Sequence, residues 1–302
     1  VSTAIAMYEA LLPDRTRVLG PDHPHTLTTR HNLATAHLEA GQLSTAIDMH
    51  QALLTDRTRV LGPDHPHTLT TRGNLARAHQ QAGHVSAAIA MHQALLTDCT
   101  RLLGSDHPHT LATRNNLATA HRESGNLQKA IAMHQALLPD IARVLGPDHP
   151  HTLATRGNLA RAHQDAGHLS TAIAMYEALL ADQTRVLGPD HPDTHTTRND
   201  LATALQESGN LQKAIAMYEA LLADQTRILG PDHPHTHITR SNLALAYRDT
   251  GKVPKAIVLL HQAALANKAR IPGPDHPKEG TASSVLPNPQ NDKWKQRSRK
   301  SR

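Results

Sequence analysis

The chain has 302 residues, with 31 lysines and arginines against 26 aspartates and glutamates, 25 histidines, one cysteine, one tryptophan and no phenylalanine. A single cysteine excludes an internal disulfide and any metal site built on cysteine pairs. No run of 18 apolar residues marks a membrane span, and the first residues lack the basic start and apolar middle of a signal peptide, so the composition points to a soluble, cytoplasmic protein with no membrane contact.

Six methionines (Met7, Met49, Met91, Met133, Met175 and Met217) recur every 42 residues, and residues 1–42 match residues 43–84 at 32 of 42 positions. Composition is therefore one unit multiplied. Each unit carries two glycine stops, at Gly20 and Gly41 in the first copy, and a proline follows the first of them in most copies. Glycine at a helix C-terminus supplies the left-handed residue that ends it, and the proline forbids continuation.

In chain order the spacing predicts a helix from about Ser2 to Leu19, designated a B helix. An A helix follows from near Pro24, and the pair then alternates. Further B helices begin near Ser44, Ser86, Leu127, Ser170, Leu211 and Pro254, and further A helices near Pro66, Pro108, Pro150, Pro192 and Pro234. Apolar and small residues at spacings of three and four, such as Leu69, Leu75, Ala76 and His79, supply one buried stripe. Serines such as Ser86 are expected to cap the B helices, and Asp22 with His23 to cap the A helices. Pro13 and Pro139 fall inside B helices and are expected to bend them. Val1 occupies the place of Leu43 and Val85, so the sequence reads as starting inside a unit of a longer array. Residues 1–270 form the array. Segment 271–302, rich in proline, glycine and polar residues, reads as a disordered tail. Its last ten residues hold six positive and no negative charges, which leaves residues 1–292 nearly neutral.

The fold implied is all-α, a right-handed α-solenoid of stacked antiparallel helix pairs. A 42-residue helical hairpin carrying Leu-Gly-Pro-Asp-His-Pro resembles the tetratricopeptide repeats of the kinesin light chain type. The resemblance covers residues 1–270. The generic aromatic positions read His37, His79, His121, His163, Leu205 and Tyr247 on the A helices and Tyr8, His50, His92, His134, Tyr176 and Tyr218 on the B helices. Histidine thus fills slots that the family gives to tyrosine or phenylalanine, expected to be semi-buried and neutral. Such imidazoles predict an array that melts earlier at pH 5.5 than at pH 8.

The repeated Asp-His-Pro-His loops offer at most two imidazoles and a carboxylate each, too few for a zinc centre, so no metal is assigned. Cys99 replaces Arg57 of the preceding unit and reads as neutral drift. Every serine, histidine and aspartate belongs to a repeated column rather than to a unique convergent constellation, and no phosphate-binding glycine loop occurs. No catalytic residue and no cofactor are assigned.

The resemblance implies that A helices line a concave groove in which an asparagine preceding a Leu-Ala pair contacts the backbone of an extended peptide. The matching residues are Asn32, Asn74, Asn116, Asn158 and Asn242, with Asp200 the exception. An amide donates and accepts at once, which suits a peptide group; hydrogen bonding to neighbouring helices is the competing role. Three residues on, Arg77 and Arg161 place positive charge in alternate segments and suggest an acidic ligand, unless Glu39, Glu123, Asp165 and Glu207 neutralise them. The constant arginine column, Arg30 onward, reads as salt bridges to an adjacent hairpin. The function expected is a non-catalytic scaffold that binds a peptide or partner domain. The alternatives are nucleic-acid binding through the basic tail, which the neutral body disfavours, and a sensor or oligomerisation surface from a larger signalling protein.

Overall fold

The computed structural model describes residues 1–260. Twelve helices follow in order: α1 (Ser2–Leu19), α2 (Pro24–Glu39), α3 (Leu43–Leu61), α4 (Pro66–Gln81), α5 (Val85–Leu103), α6 (Pro108–Glu123), α7 (Leu127–Leu145), α8 (Pro150–Asp165), α9 (Leu169–Val186), α10 (Pro192–Glu207), α11 (Leu211–Leu229) and α12 (Pro234–Asp249). Residues 253–260 begin a further helix. The expected tail 271–302 and the last ten residues of the array lie outside the described residues. No strand occurs among the described residues, and none of their helices is long and apolar enough to cross a membrane.

Every A helix starts at the proline that the sequence singles out, with proline in its first turn and histidine at the N-cap. His23 Nδ1 accepts a hydrogen bond from the backbone N–H of His25 at 3.2 Å, and the same geometry recurs in each copy. Imidazole here does the work of the usual Ser, Thr, Asp or Asn cap. Asp22 does not share it. Its carboxylate instead accepts from Arg59, 37 residues on, at 2.9 Å.

The two glycine columns end helices differently. After α2 the Gln42 N–H reaches His37 O and the Gly41 N–H reaches Leu38 O, the paired bonds of a Schellman motif, with Gly41 at φ 75°. After α3, Gly62 is itself the C-cap, at φ 91° and ψ 160°, a region open to glycine alone. Because the Schellman turn closes so tightly, the next helix begins one residue before the expected serine. Ser86 therefore lies within the first turn of α5, and His84 is its N-cap, without a side-chain cap bond. Pro13 and Pro139 sit inside α1 and α7, which continue unbroken across them.

Alanine columns set how closely the helices approach. Ala34, Ala76, Ala118, Ala160, Ala202 and Ala244 on the A helices, and Ala46, Ala88, Ala130, Ala172 and Ala214 on the B helices, are essentially inaccessible. Leucines such as Leu53, Leu75, Leu95 and Leu117 fill the space beside them. Each helix packs on its predecessor and successor, and each A helix also touches the next A helix, whereas B helices touch only A helices. Such packing places the A helices on the inner side of the curve and the B helices outside, as stacked repeats require for a concave surface.

Five of the constant arginines bind within their own hairpins rather than to an adjacent one, and the sixth, Arg240, donates to Pro231 O at 3.1 Å. Arg30 donates to Asp56 on α3 at 2.7 Å, and Arg72–Asp98, Arg114–Asp140, Arg156–Asp182 and Arg198–Asp224 repeat this. Asp56 also faces Arg59, which reaches back to Asp22. Hydrogen bonding from Arg30 first, and from Arg59, holds the Asp56 carboxyl below its ordinary range. This Arg-Asp-Arg-Asp chain joins the interhelical loop to both helices. The hairpin charges thus pair among themselves and leave the inner face to other residues.

Candidate functional site: the inner face of the A helices

The inner face is built where consecutive A helices meet. Residues 43 apart oppose one another across these joints. Asn74 Nδ2 approaches His31 Nε2 at 3.4 Å, Asn158 Nδ2 donates to Asn115 Oδ1 at 3.2 Å, and Asn242 Nδ2 donates to Asn199 Oδ1 at 3.0 Å. Three of the five asparagines are therefore held by the preceding A helix. Asn32 and Asn116 are half-buried, and no side-chain hydrogen bond engages either among the described residues.

The reason lies one position back. Where His31, Asn115 or Asn199 precedes the joint, a polar partner is present; where Gly73 or Gly157 does, there is none. On those glycine-bearing helices an arginine follows four residues later, Arg77 on α4 and Arg161 on α8. Arg161 of α8 pairs with Asp200 of α10, so the one exception in the asparagine column is the counter-ion of the second arginine. Burial raises the Asp200 carboxyl above its ordinary range, and Arg161 opposes that rise. Asp165 does not neutralise Arg161; it pairs with Arg122 at 2.8 Å. Gln164 likewise donates to Glu207 at 3.0 Å.

Asn116 follows Arg77 by 39 residues, as Asp200 follows Arg161, but the charge of Arg77 acts on His31 and His50 of the preceding hairpin. Here no carboxylate faces the guanidinium. Arg77 is exposed and forms no ion pair among the described residues. It is an unpaired cation on α4 among the described residues.

Behind this face lie the B-helix aromatics. Tyr218 OH meets Thr203 Oγ1 at 2.8 Å, and Tyr176 OH donates to Gln164 Oε1 at 3.1 Å. His50, His92 and His134 occupy the equivalent places, fully buried rather than semi-buried. Their shorter rings stop short of those partners, and both ring nitrogens of each lack a hydrogen bond among the described residues. Burial holds all three at a pKa of about 4, so they are neutral at pH 7. Cys99 is also fully buried, and burial pushes its thiol up. Such a thiol is a poor nucleophile. Among the described residues no group of three or more His, Cys, Asp or Glu side chains is placed to hold a metal ion.

The sequence profile of the tetratricopeptide repeat family matches in six overlapping spans, residues 2–57, 45–97, 86–139, 129–183, 171–226 and 193–263. The chain is a tetratricopeptide repeat protein. Its relatives of known structure place it among arrays of the kinesin light chain type. The crystal structure of the nearly identical TPR-like repeats ascribed to a kinesin light chain of Podosopora anserina is 31% identical, covers 68% of this chain and 98% of its own, and superposes with a TM-score of 0.59. BtubC (BKLC) from P. vanneervenii, 18% identical over 82% of this chain and 96% of its own, shares the fold with a TM-score of 0.59. So does a chain of the APC/C hetero-tetramer Cut9-Hcn1, 16% identical over 88% of this chain and 44% of its own, at 0.61. No curated protein matches the chain in sequence. Tetratricopeptide arrays are generally protein-interaction scaffolds and typically non-catalytic.

Sequence reasoning placed the asparagine column and both arginines on one helix face, but it missed the pairing of Arg161 with Asp200. The signal was available, since the single Asp in an Asn column coincides with an arginine one unit upstream. Reading it needs the A-to-A register, which only the packed helices give.

Proposed function

We propose that this protein is a non-catalytic scaffold that binds an extended, acidic peptide segment of a partner protein along the concave face of its A helices. The observation that carries this reading is Arg77, an exposed residue of α4 that forms no ion pair among the described residues, together with Asn116 of the next A helix, whose amide forms no hydrogen bond among them. An acidic side chain suits the first, and a backbone peptide group suits the second, since one amide both donates and accepts. The spacing supports it too: A helices about 8–10 Å apart match about three residues of extended chain at ~3.3 Å each. Asn74, Asn158 and Asn242 contribute by fixing the register of neighbouring A helices, and Asn32 lies at the first A helix. Arg161, already paired, contributes little to ligand charge.

The test is capture of a partner from lysate by the full chain and by two folded variants. Loss of capture by Arg77→Thr/Asn116→Ala, with helicity unchanged by circular dichroism, supports the groove. The Asn74, Asn116 and Asn158 to alanine variant should lose it as well. Capture that is unchanged in both folded variants would place the binding surface elsewhere.

A further inference from the structure

Each joint between consecutive A helices has a floor supplied by a residue of the first A helix and one of the intervening B helix. In the joint of α6, α7 and α8 that floor is apolar and filled, by Leu111 and Ile141, both essentially inaccessible. In the joint of α10, α11 and α12 the equivalent residues are His195 and Gln225, only 4% and 3% exposed. Glutamine stands also at 183 in the preceding joint, there against Leu153; with histidine at 195 both positions are polar, and a cavity of about 170 Å³ is lined by the two together with Thr196, Asn199, His235, Ile238 and Thr239. At ~30 Å³ per water molecule in the liquid, it has the volume of about five or six waters, or of one mid-sized side chain.

Two atoms in its wall ask for partners. His195 Nε2 and Gln225 Oε1 are buried and form no hydrogen bond among the described residues, and a buried polar atom left unpaired costs ~1–3 kcal/mol. The mouth opens on the inner face, since Ile238 is 51% exposed and His235 is exposed beside it. Of the nearby arginines, Arg198 and Arg227 are paired with Asp224 and Asp190, and Arg240 donates to Pro231 O. Burial first, and then Arg198, hold His195 below the usual imidazole range, so its ring is neutral at neutral pH.

We propose that this cavity is a specificity pocket of the groove that takes one uncharged carboxamide, the side chain of an asparagine or glutamine in the bound peptide. The proposal rests on the groove reading above. A primary amide complements the pair of wall atoms. Its NH₂ donates to Gln225 Oε1 and its carbonyl accepts from His195 Nε2–H. A ketone has no proton to give, and a carboxylate cannot donate to Gln225 at all; a hydroxyl can bridge the two atoms but leaves more of the cavity of about 170 Å³ unfilled than a carboxamide does.

The experiment uses the full chain with labelled isoleucine methyl groups and follows the Ile238 methyl resonance during titration with propionamide, propionate and butanone. The expected result is a saturable shift with propionamide, at an affinity at least ~10-fold above that of the other two. In His195→Leu/Gln225→Ile, which installs the residues found at 111 and 141, the shift should vanish. If that variant does not fold, Gln225→Met, which keeps the volume and removes the acceptor, should weaken propionamide at least ~10-fold. No saturable shift, equal affinity for propionate or butanone, or undiminished binding by the folded variants overturns the pocket. Propionamide binding without capture of any partner would leave the pocket standing and sink the groove reading alone. Capture without propionamide binding would do the reverse.

Discussion

Asp200 stands where every other A helix carries asparagine, and it pairs with Arg161 of the preceding A helix. The pair replaces a threonine–asparagine combination found at alternate joints, such as Thr119 with Asn158, so the two substitutions compensate each other. The pair is partly solvated, at 40% and 20% side-chain exposure, and its coupling should be modest. A double-mutant cycle with Arg161→Thr and Asp200→Asn should give about 1 kcal/mol of coupling, with the double variant close to wild type. Arg161→Thr alone, which strands a carboxylate already raised by burial, should be the least stable. Additive single effects in urea unfolding would show that the two charges act independently.

Acid should weaken the array. Burial holds His31, His50, His92 and His134 at about 4, against 6.5 when exposed. The folded state therefore binds fewer protons than the unfolded one between those values. Stability from these groups is complete above pH 6.5 and is lost as pH falls toward 4. Asp200 and Glu207, raised by burial, work in the opposite direction, but they are two against four. With ~2–4 °C per kcal/mol in a chain of this size, the melting temperature at pH 5 should lie about 10 °C or more below that at pH 7.5. Coincident melting curves would contradict the neutral-imidazole assignment.

One residue change should reduce that sensitivity. His134→Tyr supplies the hydroxyl that Tyr218 places on Thr203 at 2.8 Å, and Thr119 occupies the corresponding site on α6. It removes one depressed imidazole and adds one hydrogen bond, which stabilises by about 1 kcal/mol. The gain should be larger at pH 5 than at pH 7.5. A loss of stability at both pH values would show that the slot is too short for tyrosine.

The alanine columns predict the opposite sign. Ala118 has no accessible surface, and valine there forces helices apart at a cost of about 1–3 kcal/mol. Asp56→Asn, which loosens the partly exposed hairpin ion chain, should cost about 1 kcal/mol or less, and 1 M salt should erase part of the difference. Urea denaturation of both variants gives the comparison.

The helical hairpins, their period and the proline starts of the A helices were legible because each rests on local chemistry: proline in the first turn, glycine at positive φ, and apolar residues at helical spacing. The A-helix cap was half legible. His23 caps as expected, whereas Asp22 has a partner 37 residues away, and no local pattern announces that. The serine caps failed because the turn through Gly83 leaves no residue between its last bond and the start of α5 at Val85. The site was legible as a column of asparagines and arginines. Which members remain free was not, because Asn74, Asn158 and Arg161 are engaged by residues 39 or 43 positions away.

The central claim is that Arg77 and Asn116 form the ligand-contacting part of the groove. The most direct measurement is the affinity, by fluorescence anisotropy, of an acidic peptide selected on the full chain from a displayed random library, compared between wild type and Arg77→Thr/Asn116→Ala. At least ~10-fold weaker binding by a variant of unchanged helicity is the expected result. Equal affinity in the folded variant, or a selection that enriches no acidic peptide, would contradict it.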